Sequence, residues 1–360
     1  MKDTASSIRD DDSMVDKKSL LGNLLDQADS KIAGLNFFNS ITRERDGQQI
    51  AEGAETVKFF TDRSVTNEKG YIEFLPGSKD PNKVNPLITG EMSISDARVL
   101  PTAFASPTEE ASHKHLSTKG NVQGLYQNTN DFLNSIERAS KESPNHKVAI
   151  VIPGFGMTHD QGIATAANLQ AESGMPVVYY SWASQDKPLI SAYKIDEQKD
   201  NVSLSTHGNQ MINAIADRIG AENTVIVGFS QGGKMAIEAA IARQHERGAG
   251  ARPFYAQVFS RADAPKAEFQ SNIRSILNNA EHTAVFASPH DRLLFGSAFM
   301  PQHLEQGIKP GWRTGASTEY DVPIVLASRF QVVDDSNVNN GKTNHIFNTR
   351  GIAYWLKNLK

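Results

Sequence analysis

The chain has 360 residues, of which 39% are hydrophobic and 22% charged, and this composition is typical of a globular protein with one large α/β domain or two average ones. Its formal net charge of -4 provides no field that would attract nucleic acids or anionic membranes, so we expect neither as a partner. The sequence has no cysteine, which excludes disulfides, zinc-thiolate sites and thiol nucleophiles.

The first 55 residues differ from the rest. Residues 1–18 are polar and predict a disordered tail without the basic-then-apolar pattern of a secretory signal. Residues 19–55 predict an amphipathic helical extension, either docked on the protein or used for secretion or partner binding. Its apolar residues recur at three- and four-residue steps: Leu20, Leu21, Leu24, Leu25, Ala28, Ile32 and Leu35. With no transmembrane run, we expect a cytoplasmic location or export by a dedicated secretion system.

Residues 56–125 contain short β-prone runs, TVKFFTDR and EMSISDARVL, around a turn-rich stretch with Pro81 and Pro86. These runs predict an extra hairpin or edge strands at the start of a domain that covers 56–360. His113 and His115 lie in a polar stretch without other ligand types, which favours a solvated loop over a metal site. We expect no metal and no organic cofactor.

Residues 126–360 alternate between apolar runs and helix-period segments and form the predicted catalytic core. Short apolar runs between amphipathic helices are typical of βαβ units, whose strands are buried on both faces of a parallel sheet. The runs are VAIVIP, PVVYYSW, TVIVGFS, FYAQVFS and TAVFAS. The predicted helices are DFLNSIERAS, QGIATAANLQAES, THGNQMINAIADRI, KMAIEAAIARQHE and AEFQSNIRSILNN. The pattern predicts a doubly wound, mostly parallel sheet, with active residues at the carboxyl ends of its strands.

The sequence Gly228-Phe229-Ser230-Gln231-Gly232-Gly233 follows one of these strands and precedes a helix. This context fits the G-x-S-x-G nucleophile elbow, in which Gly228 and Gly232 allow a strained turn. The turn exposes the Ser230 hydroxyl at a helix N-terminus, where the dipole favours negative charge. We therefore predict Ser230 as a nucleophile.

A serine nucleophile needs a histidine base and an acid, and in this fold they follow the serine in the order acid, histidine. Asp291 lies in the loop directly after the TAVFAS run, and Asp263, after the preceding run, is the alternative acid. His345 lies in a loop before the last apolar helix, and His303 is the alternative base. The position of His345 in that terminal loop favours it over His303.

An oxyanion hole requires backbone N–H groups beside the nucleophile. The candidates are the N–H of Gln231 and that of Phe155, with Gly156 as a further donor. Phe155 and Gly156 lie in the glycine-containing loop after the VAIVIP run.

These motifs together resemble the α/β-hydrolase superfamily and, within it, the bacterial DUF900 family of alpha/beta hydrolases of unknown function. The similar segments are VKFFTDR, VAIVIPGFGMT, VVYYSWAS, LISAYKIDEQKD, GFSQGG, ASPHDR and NHIFNT, over about residues 56–359. The chain departs from the family pattern at the oxyanion loop, where Pro153-Gly154-Phe155 replaces His-Gly-Tyr, and at the elbow neighbours Phe229 and Gln231. Both departures keep the backbone donors and alter the acyl pocket.

The resemblance implies an α/β-hydrolase fold with an N-terminal extension and a serine hydrolase. The sequence thus predicts cleavage of a small or lipid-like carboxylic ester or thioester through an acyl-enzyme on Ser230. A serine acyltransferase and a non-catalytic binding protein of the same fold are the alternatives. The large apolar residues over 296–315 fit either a lid or ordinary packing under a loop.

Overall fold

The computed structural model describes residues 48–49, 55–66, 72–94, 98–99, 120–186, 190–248, 250–298, 313–336, 345 and 347–359. The predicted tail over 1–18 and the predicted helix at residues 20–35 lie outside the described residues. So do His113, His115, His303 and most of the predicted lid.

Thirteen strands occur in the described part of the chain. They are β1 (Gln48–Gln49), β2 (Glu55–Thr61), β3 (Val65–Thr66), β4 (Glu73–Phe74), β5 (Ile88–Ile94), β6 (Arg98–Val99), β7 (Gly120–Leu125), β8 (Val148–Ile152), β9 (Val177–Ser181), β10 (Thr224–Phe229), β11 (Phe254–Ser260), β12 (Ala280–Ala287) and β13 (Phe330–Asp334).

The described α-helices are α1 (Thr129–Glu142), α2 (His159–Ser173), α3 (Ile190–Ser203), α4 (Asn209–Ile219), α5 (Gln231–Arg247), α6 (Lys266–Ser271), α7 (Ile273–Asn278), α8 (Arg292–Ser297) and α9 (Thr349–Lys357). A π-helical turn, Leu204–Gly208, joins α3 to α4, and short 3₁₀ turns cover Ala221–Asn223, Thr314–Ala316 and Ile324–Arg329. None of the described helices combines the length and the apolar character needed to cross a bilayer.

Nine of these strands form one sheet in the order β13-β12-β11-β10-β8-β9-β2-β5-β7. Neighbouring strands from β13 to β2 are parallel, whereas β5 and β7 extend the sheet in antiparallel fashion. The predicted doubly wound, mostly parallel sheet is confirmed. Residues 56–125 supply the edge strands β5 and β7 and the strand β2 that joins them to the core.

The central strands are mostly apolar because helices cover both faces of the sheet. In β8, Ile150 packs in a core with α1, α4, α5 and α7, whereas its neighbour Val151 packs in a second core with α2 and α9. All five residues of β8 and all six of β10 are buried.

The chain leaves β8 and β10 in opposite directions across the sheet. From β8 it passes through α2 to β9 on one side, and from β10 it passes through α5 to β11 on the other. The loops that follow β8 and β10 therefore diverge at neighbouring carboxyl ends, which is where ligands bind in open α/β sheets.

Two helices differ from the sequence prediction. The prediction of a single helix over AEFQSNIRSILNN is wrong, because the helix is interrupted at Asn272 between α6 and α7. The side-chain amide of Asn272 donates to the Glu268 carbonyl at 3.0 Å. Helix α3 was not predicted as a helix.

Candidate active site

Ser230 lies at a sharp turn between the last residue of β10 and the first residue of α5. Its backbone has φ 53° and ψ −121°, a conformation that costs energy for any residue with a side chain. A Cβ at position 228 would lie 2.4 Å from the Gly232 carbonyl oxygen, and one at 232 would lie 2.2 Å from that of Ile152. The turn therefore requires glycine at both predicted elbow positions.

Backbone hydrogen bonds hold this strained turn in place. The Ser230 N–H donates to the Ser260 carbonyl at 2.9 Å, which continues the pairing of β10 with β11. The Ser230 carbonyl accepts from the N–H groups of Gly233 and Asp263, both at 2.9 Å. Ser230 itself is buried, with 4% of its surface exposed.

The loop after β8 lies directly against Ser230. A Cβ at Gly154 would come within 2.9 Å of the Ser230 Cβ and 3.4 Å of its Oγ. The loop is anchored by the Trp182 indole N–H, which donates to the Pro153 carbonyl at 3.0 Å, and it turns at Gly156 with φ 71°. The predicted donors Phe155 and Gly156 thus follow a backbone in contact with Ser230.

Gln231, the other predicted donor, is the first residue of α5. The N–H groups of a first helical turn have no acceptor within their own helix, and they carry the positive end of the helix dipole. An anion beside Ser230 would be stabilised by such a group.

Asp291 and His345 are in direct contact. The imidazole Nδ1 lies 2.7 Å from the Asp291 Oδ2, and both residues are almost fully buried. The other oxygen, Oδ1, accepts from the backbone N–H groups of Leu293 and Leu294 at 3.0 Å each and caps α8. The carboxylate is therefore locked in orientation, which in turn fixes the imidazole.

His345 also packs against Phe229, with the two ring centroids 5.0 Å apart. Since Phe229 is the residue before Ser230, the imidazole lies over the elbow. The structure thus brings Ser230, Asp291 and His345 to the same edge of the sheet.

Asp263, the alternative acid, has other partners. One carboxylate oxygen accepts from the Tyr193 hydroxyl at 2.6 Å. The other accepts from the Ser297 hydroxyl at 2.7 Å and lies 3.0 Å from Arg313 Nε. Burial raises the pKa of the Tyr193 hydroxyl. The Tyr193 ring packs edge-on against the Phe155 ring, with their centroids 4.9 Å apart. Asp263 is therefore engaged by Tyr193, Ser297 and Arg313 beside the loop after β8.

Sequence analysis missed Arg261, which sits directly after β11. Its guanidinium contacts both Asp291 and Asp335. The signal that could have found it is its position, because it is a charged residue at the carboxyl end of a buried strand. In the described part of the chain, no group of three or more His, Asp or Glu side chains is arranged to hold a metal ion.

A family profile described as "Alpha/beta hydrolase of unknown function (DUF900)" matches residues 129–342. A comparison with curated proteins found no match. Among solved structures, an esterase from Pyrobaculum calidifontis has 11% identity and a TM-score of 0.35, over 96% of this chain and 98% of that chain.

One of two fungal esterases from Rhizomucor miehei has 11% identity and a TM-score of 0.35, over 86% of this chain and 85% of that chain. A thermostable esterase from Pseudomonas putida has 10% identity and a TM-score of 0.32, over 95% and 94% of the two chains.

Proposed function

The chain belongs to the DUF900 family of alpha/beta hydrolases, and we propose that it is a serine hydrolase that cleaves a carboxylic ester or thioester through an acyl-enzyme on Ser230. The observation that carries the proposal is the 2.7 Å contact between His345 and Asp291 at the sheet edge that holds Ser230 in its strained turn. A nucleophile, a base and an acid that orients the base are the parts that acyl transfer requires.

In the proposed reaction, the Ser230 Oγ attacks the carbonyl carbon while His345 takes its proton. Asp291 holds the Nδ1–H tautomer and stabilises the imidazolium that forms. The N–H groups of Gln231 and Phe155, with Gly156 as a further donor, stabilise the negative charge on the former carbonyl oxygen. His345 then gives its proton to the leaving alcohol or thiol, and a water activated by the same base releases the acid.

The substrate proposal is a small or lipid-like acyl ester. A screen of p-nitrophenyl esters and acyl-CoAs of increasing chain length tests the acyl group and the leaving group together. Hydrolysis of one series with a clear length optimum is the expected result. Faster transfer of the acyl group to an added alcohol than to water would instead identify an acyltransferase.

The covalent step is tested with a fluorophosphonate probe. The wild-type protein should be labelled at Ser230, because a hydroxyl activated by His345 attacks the phosphorus as it attacks an ester. Ser230→Ala should lose both the label and the hydrolysis. Ser205→Ala, which changes an exposed serine on the π-helical turn, is the matched control and should retain both.

Mass spectrometry of the labelled peptide decides the outcome. Label on a different serine, or hydrolysis by Ser230→Ala at the wild-type rate, would show that the elbow is only a turn.

A further inference from the structure

Arg261 is buried at the carboxyl end of β11, with 0% of its surface exposed. Its backbone has φ 48°, in the left-handed region that a residue with a long side chain rarely adopts. Strain of this kind persists only where the surroundings hold it in place. Here its backbone N–H donates to the Phe286 carbonyl at 2.8 Å, and its guanidinium lies between two carboxylates.

The first carboxylate is that of Asp291. Arg261 Nη1 lies 3.4 Å from Asp291 Oδ2, the same oxygen that is 2.7 Å from His345 Nδ1. Because the two nitrogens share this oxygen, they lie within about 6 Å of each other, a distance at which one charge shifts the titration of another.

The second carboxylate is that of Asp335, directly after β13. Arg261 Nε and Nη2 donate to its Oδ2 at 3.2 and 3.0 Å, and Nη2 also donates to its backbone carbonyl at 2.7 Å. The other oxygen of Asp335 accepts from the Asn348 amide at 2.8 Å. Asn348 caps α9 and follows His345 by three residues, so the network also anchors the chain that carries His345.

We propose that Arg261 is a positioning residue of the triad, which fixes Asp291 towards His345 and places a positive charge between Asp291 and Asp335 beside the imidazole. This inference rests on the proposed function. It assigns Arg261 a role in setting the pH range over which His345 acts as a base.

The charged groups around His345 come from three neighbouring strand ends. Arg261 follows β11, Asp291 follows β12 and Asp335 follows β13. Further out, Asp334 interacts with Arg261 and with His290, and both Asp334 and His290 are exposed. Burial raises the pKa of Asp335, and the charge of Arg261 is the strongest of the interactions that oppose this rise.

Removing the charge of Arg261 or that of Asp335 should shift the pKa of His345 in a predictable direction. In Arg261→Gln, the imidazole loses a neighbouring positive charge, so the pKa of His345 should rise. In Asp335→Asn, the guanidinium faces Asp291 alone and the pKa of His345 should fall. The double variant should return it towards the wild-type value, because the two removed charges cancel.

The pKa is measured by NMR titration of the histidine Cε1–H signals, with His345→Ala used to assign the signal of His345. The acidic limb of the kcat/KM profile should move in the same direction as the NMR value. Arg261→Lys keeps the charge but loses the planar fork, so it should keep the pKa and lower kcat. Arg313→Gln, which breaks the buried pair with Asp263, is the matched control and should leave the pKa of His345 unchanged.

Opposite shifts in the two single variants support the proposal, since a purely structural role would not give opposite signs. Unchanged values, or shifts in the same direction, overturn it. If Arg261→Gln does not fold, the proposal is tested by Asp335→Asn alone, in which the pKa of His345 should fall. Because the NMR titration does not depend on turnover, a wild-type protein without hydrolysis but with these shifts would reject the proposed function and retain the charge arrangement.

Discussion

At the scale of single residues, Asp291 uses its two carboxylate oxygens for different tasks. Oδ1 caps α8 and Oδ2 contacts His345. Asp291→Asn keeps an acceptor for the cap but can place an N–H donor opposite the imidazole, which favours the wrong tautomer. We expect kcat to fall by about 10⁴-fold, as in a serine protease triad with this change. Tm should change little, because the cap acceptor remains and Arg261 keeps its ion pair with Asp335. Steady-state hydrolysis of a p-nitrophenyl ester, with a thermal melt, measures both.

The control for this variant is Asp263→Asn. It disrupts the buried pair with Arg313, so we expect the free energy of unfolding to fall by about 3 kcal/mol, measured by urea denaturation. The protein that remains folded should keep most of its kcat. A 10⁴-fold loss of kcat in Asp263→Asn, with Asp291→Asn still active, would reverse the assignment of the acid.

At the scale of elements, the loop after β8 is packed against the elbow after β10 without space for a methyl group. In Gly154→Ala the new Cβ would lie 2.9 Å from the Ser230 Cβ, so the loop or the nucleophile must move. Since the loop carries the proposed donor Phe155, we expect kcat to fall by about 10²–10³-fold, the usual cost of losing one oxyanion donor. KM should change much less.

Gly124→Ala in β7 is the matched substitution, because a Cβ there meets nothing within 4 Å. It should retain wild-type kinetics. Wild-type kcat in Gly154→Ala would mean that the loop after β8 takes no part in stabilising the oxyanion.

The sequence predicts strands β8 and β10 but not helix α3, and the reason lies in the residues that each element buries. Strands β8 and β10 are buried throughout and, apart from Thr224 and Gly228 in β10, present apolar side chains, and that pattern is visible in the sequence. Helix α3 instead buries Asp196, Lys199, Asp200 and Ser203, so apolar periodicity does not mark it. The partners of these buried polar side chains lie in loops and in α5, where the Lys234 ammonium contacts Asp200 at 3.0 Å.

The same reasoning applies to the candidate site. Ser230 and Asp291 each follow an apolar strand, so strand ends were enough to predict their place at one edge of the sheet. Arg261 also follows a strand, but its role depends on a guanidinium that spans two carboxylates far apart in sequence. No local pattern encodes such a pairing, because it exists only once β11, β12 and β13 are side by side.

At the scale of the whole molecule, the polar interior beside α3 should make stability depend on pH. Asp196 is fully buried, and both of its oxygens accept from a single N–H group, that of Gln185, at 3.0 Å. Burial raises the pKa of this carboxyl to about 7, with the Gln185 hydrogen bond and Arg63 opposing the rise. The folded protein therefore holds a proton that the unfolded chain releases near pH 4.

The sign of the effect follows from this difference in bound protons. Between about pH 4 and pH 7 the folded state binds more protons than the unfolded state, so the free energy of unfolding should fall as pH rises, by up to about 1.4 kcal/mol per pH unit. Above pH 7 the contribution of Asp196 should level off. Asp196→Asn removes this titration, and its amide oxygen still accepts from Gln185. The variant should therefore show a flatter profile and exceed the wild type in stability at pH 8.

Urea denaturation from pH 4 to pH 9 measures the profiles, and Asp217→Asn provides a contrast of opposite sign. The surface pair with Arg247 lowers the pKa of Asp217, so the stability it contributes is present above about pH 4 and is lost as pH falls. Because this pair is exposed, its removal should cost at most about 1 kcal/mol at neutral pH. A wild-type profile that rises from pH 4 to pH 7, and that Asp196→Asn leaves unchanged, would mean that Asp196 is ionised in the folded protein and that its charge is compensated by Arg63 and Lys199.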